Sequence, residues 1–367
     1  MATAAELKIA QQRLADVRAE LKRRSLHALV VNNTTNLRYL FNYSGSMAMA
    51  VITRKDVHFI TNDLYAVQVQ TELYKVDGLK IHIDRNFLGL VKGLKIGAAG
   101  KNVGFDAART TVTSHTAMKK AFAPSTLVDA GGIIENITRV KAPHEIKAIQ
   151  KAADIASRTY EAMLSTITAG MTERQVANII ASVSRELGSE KDAFDIICVA
   201  GKRSAMPHGR ASDAVIKKGD VVTVDFGCVV DGFNSDMTRT FAVGTPSSKV
   251  VEVFAVLFDA HMHALDAAIA GVNAAALDAA ARDIITAAGY GEYFRHSLGH
   301  GLGIDVHENP RVASVNKDET ISNNCVITIE PGIYLPGKFG MRIEDDVVVT
   351  TKGANILTSA PRELVIA

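Results

Sequence analysis

The chain has 367 residues, of which 47% are hydrophobic and 22% charged, and 41 Lys and Arg against 39 Asp and Glu leave a formal charge of +2. That balance argues against a nucleic-acid-binding surface, and the apolar fraction is too high for disorder. No apolar run approaches the roughly 18 residues that cross a bilayer, so no membrane association is expected.

The length predicts about two domains. Leu7, Leu14, Val17 and Leu21 recur at helical spacing among Lys and Arg, so the chain opens on an amphipathic helix without the apolar core of a leader peptide. Residues 27–32 and 48–61 read as strands, the latter a hairpin turned at Arg54–Asp56. Helical patterns near 64–75, 86–96 and 112–122 alternate with short strands at 79–83, 102–105 and 126–129. This predicts a small α/β domain over 1–136. Gly131-Gly132 marks a break, after which Pro143 suits the first turn of a new helix. Beyond it, from 137 to 367, long helices are expected at about 143–168, 173–188, 247–270 and 274–288. Between them lie segments rich in Val, Ile, Thr and Gly. VVTVDFG (221–227) is echoed by VITIEPG (326–332), each followed by a returning strand with a second acid. The echo predicts one α+β domain built by internal duplication. Cys198, Cys228 and Cys325 form no C-x-x-C pair, which fits a reducing, cytoplasmic setting.

In VVTVDFG the aliphatics alternate with Thr223 and Asp225, so the acid shares a strand face with polar residues. Asp231-Gly232 lies near the turn, which brings Asp236 back across the ladder from Asp225 or nearly so. Glu330 and Glu344 are related in the same way around the Pro336–Gly340 turn. A single acid in a hairpin is more often a capped turn or a surface ion pair. Four acids on inner strands repel one another unless cations compensate them, and a metal site accounts for them better. HSLGHGLGIDVHENPR (296–311) adds His296, His300 and His307 in a glycine-dense stretch, and His208 stands on a Pro/Gly loop. One His with four carboxylates suits Mn²⁺, Co²⁺ or Fe²⁺ more than structural zinc, and so many ligands suit a dinuclear centre. Such a centre hydrolyses carbonyl or phosphoryl bonds, with the spare histidines as oxyanion donors and Arg342 orienting a carboxylate. The other seven histidines (His27, His58, His82, His115, His144, His261 and His263) have no chemical context; for His261 and His263, in a helix, core packing or exposure is the preferred account.

The segments PHG (207–209), VDFG…DGFNSDMTRTF (224–241), GHGLGIDVHE (299–308), TIEPGIY (328–334) and GMRIEDDVVVT (340–350) resemble, in order and spacing, the metallopeptidases of the pita-bread fold. That family includes methionine aminopeptidases, prolidases and Xaa-Pro aminopeptidases, and residues 1–136 resemble the N-terminal domain of the last two. The resemblance implies metal ligands at Asp225, Asp236, His300, Glu330 and Glu344, with Glu330 also transferring protons. It implies substrate-binding or transition-state roles for His208, His296 and His307, a supporting role for Arg342, and carboxylate capture by Arg311 as in some prolidases. It further implies two Mn²⁺ or Co²⁺ ions per subunit (Zn²⁺ or Fe²⁺ also being compatible), short proline-containing peptides as substrates, and a homodimer. Phe233 stands where the family often has Tyr, and Thr61-Asn62-Asp63-Leu64-Tyr65 lacks the arginine of the family's N-terminal pattern. The alternatives are a methionine-aminopeptidase-like or other N-terminal exopeptidase, whose relatives typically lack this N-terminal domain, and a catalytically silent interaction scaffold, whose expected mark is loss of ligands, all of which this sequence keeps.

Overall fold

The computed structural model describes residues 3–367, and the chain divides into two units, the first ending at Ile137 and the second spanning Thr138–Ala367. The first opens on helix Ala4–Arg23, whose cap residues Thr3 and Glu6 exchange side-chain-to-backbone hydrogen bonds, and whose Leu14, Val17 and Leu21 are buried. Its sheet has six strands in the order Leu79–Ile83, Val57–Thr61, Ala48–Thr53, Leu26–Val31, Asn102–Phe105, Thr126–Asp129. The hairpin over 48–61 pairs Ala48 with Thr61. Over 64–75 the continuous helix does not form. A 3-10 turn, Asp63–Tyr65, is capped early by Asn62, and only Gln68–Glu72 continues as helix, with Leu64 and Val67 exposed. Helix Thr34–Phe41 goes beyond the sequence expectation. Too short to show a full apolar period, it is fixed by the Asn33 cap and by burial of Leu37, Leu40 and Phe41.

The second unit carries helices Pro143–Leu164, Glu173–Glu186, Ser248–Ala267 and Ala274–Ala287, each slightly shorter than its sequence pattern. One sheet has the order Val365–Ile366, Met237–Ala242, Val221–Phe226, Ile197–Ala200; the other runs Glu308–Val312, Gly299–Gly301, Val326–Ile329, Asp345–Thr350, Gly353–Ile356. Each sheet buries one apolar face against one helix pair. Val222, Val224 and Phe226 pack with Ala152, Tyr160, Val176 and Ile180 of the first pair. Ile327, Ile329, Val347 and Val349 pack with Val253, Leu257, Leu277 and Ile285 of the second. Each such fully buried aliphatic contributes roughly 1.5–3 kcal/mol. Because strand side chains alternate, Thr223, Asp225 and Thr328 are left to the opposite faces. Among the described residues no helix is long and apolar enough to cross a membrane.

Candidate active site

The first hairpin closes on Asp231 and Gly232, both with positive φ (52° and 82°), the two-residue turn whose twist matches its strands. Val230 therefore pairs with Phe233, and the same register further on sets Thr238 opposite Asp225. Asp236 thus lies diagonally across from Asp225, two residues from the direct partner. In the second hairpin Ile329 pairs with Asp345 and Gly332 with Arg342. That shared register puts Glu330 directly opposite Glu344, both in the break between strand pairs. His300 lies on the short strand Gly299–Gly301, where neither glycine tolerates a side chain. A Cβ on Gly299 would sit 2.0 Å from the Thr328 carbonyl oxygen, and one on Gly301 2.3 Å from that of Asn309.

These elements bring the two acid pairs together. His300 Nε2 is 3.7 Å from Asp236 Oδ2 and 3.5 Å from Glu330 Oε1, and His296 Nδ1 is 4.0 Å from Glu330 Oε2. Ligand atoms of Asp236, His300 and Glu344 all lie within 4.8 Å of one another. Arg342, buried, donates to Asp225 Oδ2 (2.6 Å), the Tyr334 hydroxyl (2.6 Å), Thr238 Oγ1 (2.9 Å) and the Pro207 carbonyl (3.3 Å). Thr238 in turn donates to Glu344 Oε2 at 2.6 Å. His307 stacks edge-on against His300 with ring centroids 4.4 Å apart. His208 stands exposed on its turn; burial lowers the basicity of His296 and His307, and the nearby His208 adds a smaller share to each.

Electrostatically the cluster is under-compensated. Burial, then Glu344 and Asp225, push the Asp236 carboxyl well above its usual range; burial, then Glu330 and Asp225, do the same to Glu344. Glu330 is pushed up to about 8 by burial, which Arg342 opposes and Asp225 reinforces. Burial holds His300 down at about 4, and burial with Arg342 holds His296 at about 3. His300 is therefore a neutral imidazole. Its Nδ1–H donates to the Gly301 carbonyl at 3.0 Å, so Nε2 turns a lone pair toward two carboxylates. Asp225 Oδ1 is buried and has no hydrogen-bond partner among the described residues. Lone pairs converging on lone pairs, beside an unsatisfied carboxylate oxygen, form a donor set that fits divalent cations.

The sequence profile of metallopeptidase family M24 matches residues 147–351, more than half of the chain, and that of the creatinase/prolidase N-terminal domain matches residues 13–140. The chain belongs to metallopeptidase family M24. It is 36% identical to an uncharacterized peptidase of Bacillus subtilis over 342 residues, 93% of this chain and 96% of that one. Among solved structures it superimposes on an Xaa-Pro dipeptidase from Bacillus anthracis with a TM-score of 0.93 at 35% identity, covering 98% of this chain and 100% of the other. An X-Pro aminopeptidase from Thermotoga maritima gives 0.85 at 34% identity, covering 93% and 98%. The fold is accordingly the pita-bread domain of an M24 metallopeptidase preceded by a creatinase-type domain.

In this M24 chain the structure gathers Asp225, Asp236, Glu330, Glu344, His296, His300, His307 and Arg342 into one cluster, with His208 at its side. Arg311 is exposed on strand Glu308–Val312, and among the described residues its guanidinium makes no hydrogen bond or ion pair. Both nitrogens of His296 are engaged, Nδ1 with the Ser297 carbonyl (2.9 Å) and Nε2 with the Tyr334 hydroxyl (3.0 Å). That hydroxyl, which also accepts from Arg342, is a site group the sequence reading passed over. The signal lay in TIEPGIY, where Tyr334 has the same strand parity as Thr328 and Glu330. His261 is fully buried, in keeping with core packing, and there it also bonds Asp345 Oδ2 at 2.8 Å, a contact between residues 84 positions apart that lies beyond the reach of local pattern.

Proposed function

We propose that this metallopeptidase hydrolyses the peptide bond between a first residue and a following proline, with Xaa-Pro dipeptides as its preferred substrates. The carrying observation is that ligand atoms of Asp236, His300 and Glu344 lie within 4.8 Å of one another, with Glu330 3.5 Å from His300 Nε2 and the unpartnered Asp225 Oδ1 in the same acidic cluster. Asp225, Asp236, His300, Glu330 and Glu344 are the residues that would hold two divalent ions, Mn²⁺ or Co²⁺. Bound there, such ions would bring the pKa of water toward neutrality and polarise the scissile carbonyl.

The chain's own groups supply the rest. Glu330, whose oxygens lie 3.5 Å from His300 and 4.0 Å from His296, is the group we assign to take the proton of the attacking water and return it to the departing proline nitrogen. Tyr334 and the Ser297 carbonyl hold His296 in one neutral tautomer. His208 and His307 are the histidines whose nitrogens remain to steady the developing oxyanion. Arg342 fixes Asp225 and the His208 loop at once, through the Pro207 carbonyl. The preference for dipeptides rests on the near-complete superposition with the B. anthracis dipeptidase; hydrolysis of longer X-Pro peptides is the second reading, favoured by the T. maritima aminopeptidase. Arg311 is the candidate for capturing the dipeptide carboxylate. We assign domain limits of 1–136 and 137–367, and a cytoplasmic homodimer; the three buried free thiols support the reducing compartment.

The test is a panel of Xaa-Pro dipeptides, Xaa-Pro tripeptides and Met-Ala peptides, assayed with Mn²⁺ and Co²⁺ before and after EDTA. Turnover of Xaa-Pro dipeptides, lost with EDTA and restored by metal, is expected. Undiminished turnover in metal-stripped protein would overturn the mechanism, and cleavage of Met-Ala peptides alone would overturn the substrate.

A further inference from the structure

Glu173 has a fully buried carboxylate that touches no group of the active site, yet it organises the loop that presents His208. It is the first residue of helix Glu173–Glu186, behind the Thr172 cap, where the helix dipole favours an anion. Its two oxygens accept from Ala200 N (2.9 Å), Arg203 Nε (3.0 Å to each), Ser212 N (3.0 Å) and Ser212 Oγ (2.6 Å). The first-turn amides of the same helix add two more ties, Glu173 N to the Ala214 carbonyl at 3.0 Å and Arg174 N to that of Ser212 at 2.9 Å. Arg203 then reaches across the loop to the Arg210 carbonyl at 2.8 Å. Residues 200, 203 and 212 are thereby drawn to one point, and the segment between them closes with His208 near its apex.

That segment contributes little to any core. Met206, His208 and Arg210 are exposed, and Pro207 is half-buried. Burying a charge with so many donors to order a surface loop makes physical sense if the loop carries something that must be held still. The one imidazole it carries is His208. We propose that Glu173 is a positioning residue that holds His208 at the active site by clamping both ends of its loop. This rests on the assignment of His208 to the reaction made above.

The deciding variants are Glu173→Gln, His208→Ala and the double mutant, with Ser212→Ala as a milder lesion should Glu173→Gln fold poorly. An amide at 173 turns a donor toward groups that are themselves donors, while Arg203, about one-third exposed, can turn to water. Glu173→Gln is expected to lower kcat about tenfold to a hundredfold with bound metal unchanged, since small misplacements of a working group cost this much. In the His208→Ala background it should cost nothing further, because the two changes remove one function. Trypsin should cut the loop at Lys202 and Arg210 faster in Glu173→Gln, and to a lesser degree in Ser212→Ala, with no matching change in the urea midpoint. Multiplicative losses in the double mutant, or unchanged nicking, would overturn the clamp. If wild-type protein turns over no Xaa-Pro peptide, the proposed function fails, and the nicking comparison still decides whether Glu173 orders the loop.

Discussion

Glu344 and Asp345 are neighbours in the chain, both almost wholly buried, and their carboxyls live in opposite surroundings. Asp345 is saturated with donors. Arg239 Nη2 (2.7 Å), His261 Nε2 (2.8 Å), Arg362 Nε and the Thr358 hydroxyl all reach it. Burial would raise its pKa, but Arg239, His261 and Arg362 outweigh that and hold it well below the usual carboxylate range. Glu344 faces Glu330 and Asp225 as well as Arg342, with Thr238 as its hydroxyl donor, and is held well above that range. One strand start thus separates a finished ion cluster from an unfinished one. A buried carboxylate that the protein satisfies by itself is architecture; one that it leaves short of positive charge is prepared for a cation from outside.

Single amide substitutions should break the comparison in opposite directions. Asp236→Asn removes an acid from the under-compensated side. It is expected to lower kcat/KM by about a thousandfold or more, corresponding to about 4 kcal/mol of lost transition-state stabilisation. The metal-free protein should meanwhile be as stable as wild type or more so, because a disfavoured charge is gone. Asp345→Asn strands Arg239 and Arg362, and breaking such a buried pair costs about 3–5 kcal/mol. Urea denaturation with EDTA present, together with metal content per folded chain, checks both. A strongly destabilised Asp236→Asn, or an Asp345→Asn of wild-type stability, would mean that the two clusters do not differ as described.

The clusters were unequally legible in the sequence. Val/Thr/Asp and Ile/Thr/Glu alternation exposed the two acid hairpins, because period-two patterning directly encodes which face a residue takes. The diagonal offset of Asp236 was also encoded, since a two-residue turn at Asp231-Gly232 fixes every later pair. The Asp345 cluster was not. Arg239, His261, Thr358 and Arg362 come from separate segments that meet only after the sheet and helices pack, and each alone looks like an ordinary polar residue. In the first unit the helix pattern over 64–75 failed where the Asn62 cap and exposed Leu64 and Val67 overrode periodicity.

The pH dependence of stability should separate the clusters more finely. Glu330 in the folded, metal-free chain titrates near 8 against 4.5 for an ordinary glutamate. Below the lower value both states are protonated and its contribution is complete. Between about pH 5 and 8 the unfolded chain ionises while the folded chain resists, so stability falls as pH rises. Asp345 has the opposite sign: its contribution is complete above about pH 4 and is lost in acid. With EDTA present, the urea midpoint should decline from pH 5 to 8 in wild type, and this decline should flatten in Glu330→Gln. A wild-type midpoint that rises over this interval would contradict the sign.

The smallest effect is expected at Tyr334, an uncharged group at the edge of the acid cluster that links its Arg342 to His296. Its hydroxyl accepts from Arg342 Nη1 at 2.6 Å and can donate to His296 Nε2 at 3.0 Å, and burial raises its pKa to about 12, so it stays a donor at working pH. Tyr334→Phe keeps the ring and its packing but leaves His296 free to turn and Arg342 short of one acceptor. The loss should be about tenfold in kcat, the equivalent of one neutral hydrogen bond of about 1.4 kcal/mol, with KM and metal content nearly unchanged. Arg342 would still bind Asp225 and Thr238, which is why the effect stays far below that of Asp236→Asn. A Tyr334→Phe enzyme that loses metal would show instead that the hydroxyl, through Arg342, shapes the acid cluster itself.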